Sequence, residues 1–174
     1  MQIDIELLGL YDHTVDLNTI TTGQASHIRQ HYIPFNPHLE FHDYGFEWTP
    51  EYVAWFIDGE EIFQQSGTHI TEMDSAQKIM MNIWQPVYAD WGGTFDDRIL
   101  PRFSYYDWVK YSSYTLGTGN HGTDNNFTLE WEDDFSAFDQ TRWEKSDNHT
   151  WGGNQSILVD ENAVFDNGML VLCL

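Results

Sequence analysis

The N-terminal run Gln2-Ile3-Asp4-Ile5-Glu6 carries a polar side chain at every second position. In an extended strand residues two apart share a face, so Gln2, Asp4 and Glu6 form one row with Ile3 and Ile5 behind it. Two carboxyl groups so spaced can hold and deliver protons, whereas the Gln2 amide has no anionic oxygen with which to attack an electrophilic carbon. The alternation is equally that of a solvent-facing amphipathic strand, so the row by itself names no reaction.

Other chemistries find less support. The eight histidines are scattered without an HxxxH or HExxH spacing or a cysteine partner, which argues against a zinc site. No glycine-rich phosphate loop and no nucleophilic Ser-His-Asp signature occurs. Cys173 is the single cysteine, so no internal disulfide forms and the residue reads as a buried thiol.

Twenty-eight acidic residues against seven basic ones leave a formal charge of −21, which repels phosphate backbones and anionic membranes. Neither a nucleic acid nor a membrane is expected as a partner. The acids are spread along the chain, as on a solvated surface, with cation binding as the alternative. Eight Trp, nine Tyr and eleven Phe exceed the usual need of one core and suit the apolar faces of sugars, although a β-sandwich core also uses many rings. No apolar run approaches the roughly 20 residues of a membrane span. The start at Met1 lacks the basic and apolar regions of a signal peptide, so the signal of a secreted parent is expected outside this sequence.

The elements that must position these residues read as strands: Gln2–Leu8, Tyr44–Trp48, Tyr52–Ile57, Lys78–Trp84, Phe103–Tyr111, Phe127–Trp131, Ser156–Val159 and Met169–Leu174. Asp58-Gly59 predicts a two-residue hairpin between Tyr52–Ile57 and Glu60–Phe63, because both central positions require positive φ. No sustained helical period occurs. The pattern predicts an all-β chain, a sandwich or jelly roll, with a polar, glycine-rich connection over residues 112–126. The block after that connection is too short for a convincing core of its own, so residues 1–174 are expected to form a single domain.

QIDIELLG at Gln2–Gly9 resembles the Glu-x-Asp-x-Glu strand of glycoside hydrolase family 16, in particular of the lichenases, the endo-1,3-1,4-β-glucanases. FHDYGFEWTPEYVAWFIDGEEI at Phe41–Ile62, KIMMNIW at Lys78–Trp84 and YYDWVKY at Tyr105–Tyr111 resemble further segments in the same order. FTLEWEDDFSAFDQTRW at Phe127–Trp143 and DNGMLVLCL at Asp166–Leu174 resemble segments that open ordinary lichenases, which is the order of a circularly permuted member. Chain ends that lie close together at a surface allow such rejoining. The resemblance implies a concanavalin A-like jelly roll, a secreted location and mixed-linkage β-glucan as substrate.

It also implies roles for the row. Glu6 matches the general acid and base and Asp4 the assisting residue, while Gln2 stands where the family has its Glu nucleophile. An amide there should block the covalent glycosyl-enzyme route of a retaining enzyme. The family carries further strands between the segments matched by Asp166–Leu174 and by Gln2–Glu6. A companion chain supplying those strands is therefore expected, covering bare sheet edges at Gln2–Leu8 and Met169–Leu174.

Sugar contacts carry over to Asn18, Asn82, Trp84 and Trp91, with Trp48, Trp55 and Trp108 read as core. An arginine often found near the position of Met80 is absent. A structural calcium site would map to the Asp107 carbonyl, the Asp134 carboxylate and the Gly168 carbonyl, hard oxygen donors that suit calcium; ordinary surface acids beside a turn are the alternative. No cofactor is expected for catalysis. The functional expectation is a lichenase domain inactivated or weakened by Gln2, and its rival is a non-catalytic β-glucan-binding module on a hydrolase scaffold.

Overall fold

The computed structural model describes residues 1–174 except Thr22 and Gln24. Among the described residues every strand pairing is antiparallel, and the two α-helical turns span four residues each. The chain divides into two compact units, Met1–Ile79 and Met80–Leu174.

In the first unit β1 (Gln2–Glu6), β2 (Thr14–Ile20) and β3 (Arg29–Tyr32) form one sheet in that order. A second sheet holds β4 (Tyr44–Trp48), β5 (Tyr52–Ile57) and β6 (Glu60–Ser66), followed by the turn α1 (Thr68–Thr71). The inner faces share one core: Val15 and Leu17 of β2, Val53, Trp55 and Ile57 of β5, with Ile33, Ile70 and Met73. Met1, Ile3 and Ile5 pack against it, so the apolar half of the β1 alternation points inward. Thr19 on β2 donates to Oε1 of Gln65 on β6 at 2.7 Å, and Gln65 Nε2 donates to the His27 carbonyl at 2.6 Å, which ties the sheets through polar groups as well. The expected hairpin forms at Asp58 and Gly59, whose φ values of 51° and 80° match the paired positive-φ turn. The Asp58 carboxylate also accepts from His42 Nδ1 and the Asp43 amide, which holds its pKa below the usual range.

The second unit contains α2 (Ala89–Gly92), β7 (Phe103–Tyr106), β8 (Val109–Tyr114), β9 (Phe127–Asp133), β10 (Ala163–Asp166) and β11 (Met169–Cys173). Its sheet order is β10-β11-β7, beside a β8-β9 pair. Phe135, Leu170 and Leu172 are buried with Tyr106, Val109, Trp143 and Phe165 around them. The buried Asp133 carboxylate accepts from Trp143 Nε1 at 2.7 Å, Arg142 Nη1 at 3.2 Å and the Phe135 amide at 2.9 Å. Burying a charge in this way is tolerable because its lone pairs are satisfied.

Several boundaries differ from the sequence reading. Lys78–Trp84 forms no strand, although Met81 and Ile83 do point into the second core. Phe103–Tyr111 breaks into β7 and β8, and Ser156–Val159 offers only an isolated bridge from Leu158 to His149. Ser112–Tyr114 belong to β8 rather than to the polar connection. Strand β11 lies between β10 and β7, so Met169–Cys173 presents no bare edge. Cys173 is half-buried rather than buried, because the outward face of β11 is only partly covered. Trp55 is fully buried as expected, whereas Trp48 and Trp108 are half-buried.

Candidate active site

The polar row of β1 lies against β2 with Gln2 opposite Ile20, Asp4 opposite Asn18 and Glu6 opposite Asp16. Because cross-strand partners share a face, Asn18 and Asp16 extend the row into a patch. Asn18 Nδ2 donates to Asp4 Oδ2 at 3.4 Å, while its own Oδ1 accepts from the Ser26 hydroxyl and the His27 amide, each at 3.0 Å. The asparagine is thus clamped, and it aims its amide at Asp4. Asp16, almost wholly buried, accepts from Gln30 Nε2 on β3 at 3.1 Å. From the other sheet Trp55 Nε1 donates to the Asp4 carbonyl at 3.1 Å and fixes the middle of the strand.

Burial pushes the Glu6 carboxyl up to about 7, and the Asp4 and Asp16 charges add to the effect. Asp4 is also raised by burial, opposed by hydrogen bonds from Gln2 and Asn18. A carboxyl that keeps its proton near neutral pH and stands two residues from a second, hydrogen-bonded carboxyl is suited to protonate a leaving oxygen. Gln2 is the exposed end of the row, and its amide hydrogen-bonds Asp4 instead of offering an anion.

Asp16 and Gln30 escaped the sequence reading. The alternation Val15-Asp16-Leu17-Asn18 carries the signal, since it places Asp16 on the face of Asn18 once β2 is known to be a strand.

In the second unit Trp84 meets Trp91 with ring centroids 5.6 Å apart and Trp151 at 5.1 Å. Trp151 is a further aromatic in this group, and no motif in the sequence singles it out. Pro86 bridges Asn154, Gln155 donates its amide hydrogen to the Gln85 carbonyl at 2.8 Å, and Val87 does so to the Gly153 carbonyl at 2.8 Å. These bonds hold residues 84–87 against residues 151–156, so the indoles are presented by a braced segment. Gly92 is needed there, because a Cβ would strike the Pro86 ring. Asn82 is exposed two residues before Trp84, and Met80 is exposed beside it.

The three oxygen donors expected for a cation lie at one end of two ladders. The β11–β7 register pairs Leu170 with Tyr106, and the β9–β8 register pairs Asp133 with Val109. Asp107 follows β7, Asp134 follows β9 and Gly168 precedes β11 in the chain. Asp134 is exposed and kept below the usual carboxylate range by hydrogen bonds from Ser136. A carboxylate and two carbonyls of this kind fit calcium chemistry. Asp147, Asp160 and Glu161 form a second group, exposed, with carboxylate oxygens within 4.8 Å of one another.

The sequence profile of "Glycosyl hydrolases family 16" matches residues 2–99, more than half of the chain and the whole of the β1–β2 patch. The chain belongs to glycosyl hydrolase family 16. Within family 16 its nearly all-β, antiparallel architecture is that of the β-sandwich jelly roll. The chain is 38% identical over 177 residues to a "Beta-glucanase" of Fibrobacter succinogenes, a match that covers 100% of this chain and 50% of the relative. It is 37% identical over 122 residues to a "Xylanase/beta-glucanase" of Ruminococcus flavefaciens, covering 70% of this chain and 15% of the relative. A "Beta-glucanase" of Brevibacillus brevis is 36% identical over 112 residues, covering 64% of this chain and 42% of the relative. The chain therefore spans half or less of the length of these family 16 relatives. Among the described residues no helix is long and apolar enough to cross a membrane.

Proposed function

We propose that this chain is the catalytic domain of an endo-1,3-1,4-β-glucanase, a single circularly permuted jelly roll whose chemistry is switched off or weakened at Gln2. The observation that carries the reading is Glu6, a carboxyl holding its proton near neutral pH beside the hydrogen-bonded Asp4, on one strand of a family 16 chain. In a retaining glycosidase one carboxylic acid protonates the leaving oxygen while a carboxylate about 5–5.5 Å away attacks the anomeric carbon. Glu6 takes the first role and Asp4 tunes it. Gln2 occupies the place of the second, and its amide forms no glycosyl ester. Hydrolysis of this kind needs no cofactor.

Asn18, Asn82, Trp84 and Trp91 are read as the sugar-binding residues, the amides addressing hydroxyls and the indoles stacking on pyranose faces. The permuted order is supported by the match to the Fibrobacter relative, which runs over the whole chain, where the Brevibacillus match covers 64%. Calcium at the Asp107 and Gly168 carbonyls and the Asp134 carboxylate would pin the ends of the two ladders. A companion strand beside β1 is favoured by the position of β1 at the edge of its sheet. Polymeric β-glucan as substrate points to a secreted location.

A glucan-binding module is the second reading, and Gln2 favours it, since stacking on indoles requires no nucleophile. The test is reducing-end release from mixed-linkage β-glucan, from a 1,4-linked and from a 1,3-linked β-glucan, by the chain and its Gln2→Glu variant. Cleavage of the mixed-linkage polymer by the Glu form supports the glucanase. Binding without cleavage by both forms supports the module.

A further inference from the structure

The β1–β2–β3 sheet carries three carboxyl groups on one face, and two of them stand directly opposite each other. Glu6 on β1 is the register partner of Asp16 on β2, which is in turn the partner of Gln30 on β3. Like charges opposite one another on adjacent strands are destabilising, and burial sharpens the conflict. The conflict is relieved if one of the two retains a proton. Gln30 Nε2 donates to Asp16 Oδ1 at 3.1 Å and holds that carboxylate in place.

We infer that Asp16 is a positioning residue for the acid of this site: its carboxylate, held by Gln30, faces Glu6 across the β1–β2 ladder and keeps the proton on Glu6. The groups facing Glu6 are few. β1 contributes Asp4 and the neutral Gln2, β2 contributes Asp16 and Asn18, and β3 contributes Gln30. Arg29 and His31 of β3 pair with Leu17 and Val15 and so stand on the opposite, core-side face, where the Arg29 guanidinium lies 5.8 Å from the Phe63 ring centre. The upward shift of Glu6, caused first by burial and then by Asp4 and Asp16, agrees with this arrangement. The consequence is specific to a row with an amide at position 2. With no negative charge at Gln2, the Asp16 carboxylate on the neighbouring strand adds to burial and to Asp4 in keeping the acid protonated.

The inference rests on the reading of Glu6 as the acid, but its test does not depend on turnover. The carboxyl carbons of Glu6 and Asp16 are followed by 13C NMR through a pH titration of the full chain, alongside Asp16→Asn, Asp16→Gln and the charge-preserving Asp16→Glu. Removing the charge should lower the Glu6 midpoint by about one pH unit, a tenfold change in acidity, and Asp16→Glu should restore most of it. Two charge-removing variants are compared, so either one that folds reads the effect. A Glu6 midpoint that stays in place in folded Asp16→Asn or Asp16→Gln overturns the inference. Failure to cleave any glucan would leave this coupling intact, so the two ideas fail separately.

Discussion

The indole Nε1 of Trp55 donates to the backbone carbonyl of Asp4 at 3.1 Å, joining the centre of β5 to the middle of the polar row on β1. Trp55 is fully buried, so this single side chain serves the core with its ring and the candidate site with its N–H. Trp55→Phe keeps an aromatic ring but loses the hydrogen bond and part of the volume. It should cost about 1–3 kcal/mol of stability. Chemical denaturation midpoints check the loss, and hydrogen exchange should show earlier opening of β1 than in the parent.

Stability should carry the signature of Glu6. The folded carboxyl keeps its proton up to about 7, whereas the ordinary value is 4.5. Its contribution is therefore fully present below pH 4.5 and is lost as pH rises through about 7. Glu6→Gln cannot titrate, so the fall in Tm across that window should be smaller than in the parent by about 2–4 °C, the equivalent of about 1 kcal/mol for a chain of this size. Parallel Tm profiles for the two proteins would contradict the burial of this acid.

The Trp84, Trp91 and Trp151 group should bind glucan whether or not bonds are cleaved. Trp84→Ala removes the ring that touches both others. It should weaken binding of a mixed-linkage oligosaccharide by about 5–30-fold, corresponding to about 1–2 kcal/mol, by calorimetry. Unchanged affinity would place the sugar elsewhere.

Calcium should raise Tm relative to chelator, by the equivalent of about 2.7 kcal/mol at a hundredfold excess over Kd. Asp134→Ala should abolish the response. A response that survives Asp134→Ala but is lost in Asp160→Ala would move the ion to the exposed group formed with Asp147 and Glu161.

What the sequence disclosed follows from what short-range rules encode. The hairpin at Asp58-Gly59 was legible because positive φ at two successive positions selects those residues, and β4 and β5 fall on their expected ranges. β2 and β3 carry no such local signal. β2 buries both faces, with Asp16, Asn18 and Thr19 inside beside Val15 and Leu17, so no simple alternation of buried and exposed marks it. Arg29-Gln30-His31-Tyr32 has scarcely an apolar side chain to announce a strand. Lys78–Trp84 misled in the opposite direction. Its apolar run looks like a strand, yet alternate residues Met81 and Ile83 reach the core while the next backbone amide, at Gln85, is taken by the Ser156 hydroxyl. In the candidate site the β1 row was local and therefore visible. The facing of Glu6 and Asp16 depends on a register between strands ten residues apart, which only the fold supplies.

The most direct test of the account compares this chain with its Gln2→Glu variant on mixed-linkage β-glucan and reads both the rate of reducing-end release and the anomer first formed, by NMR. With a carboxylate at position 2 of the same row as Glu6, the variant should cleave the polymer and release product with the β configuration retained, while the parent stays at or near background. Equal rates for the two proteins, an α product formed first, or no cleavage by the Glu variant would contradict the assignment of position 2 as the nucleophile site of a retaining glucanase.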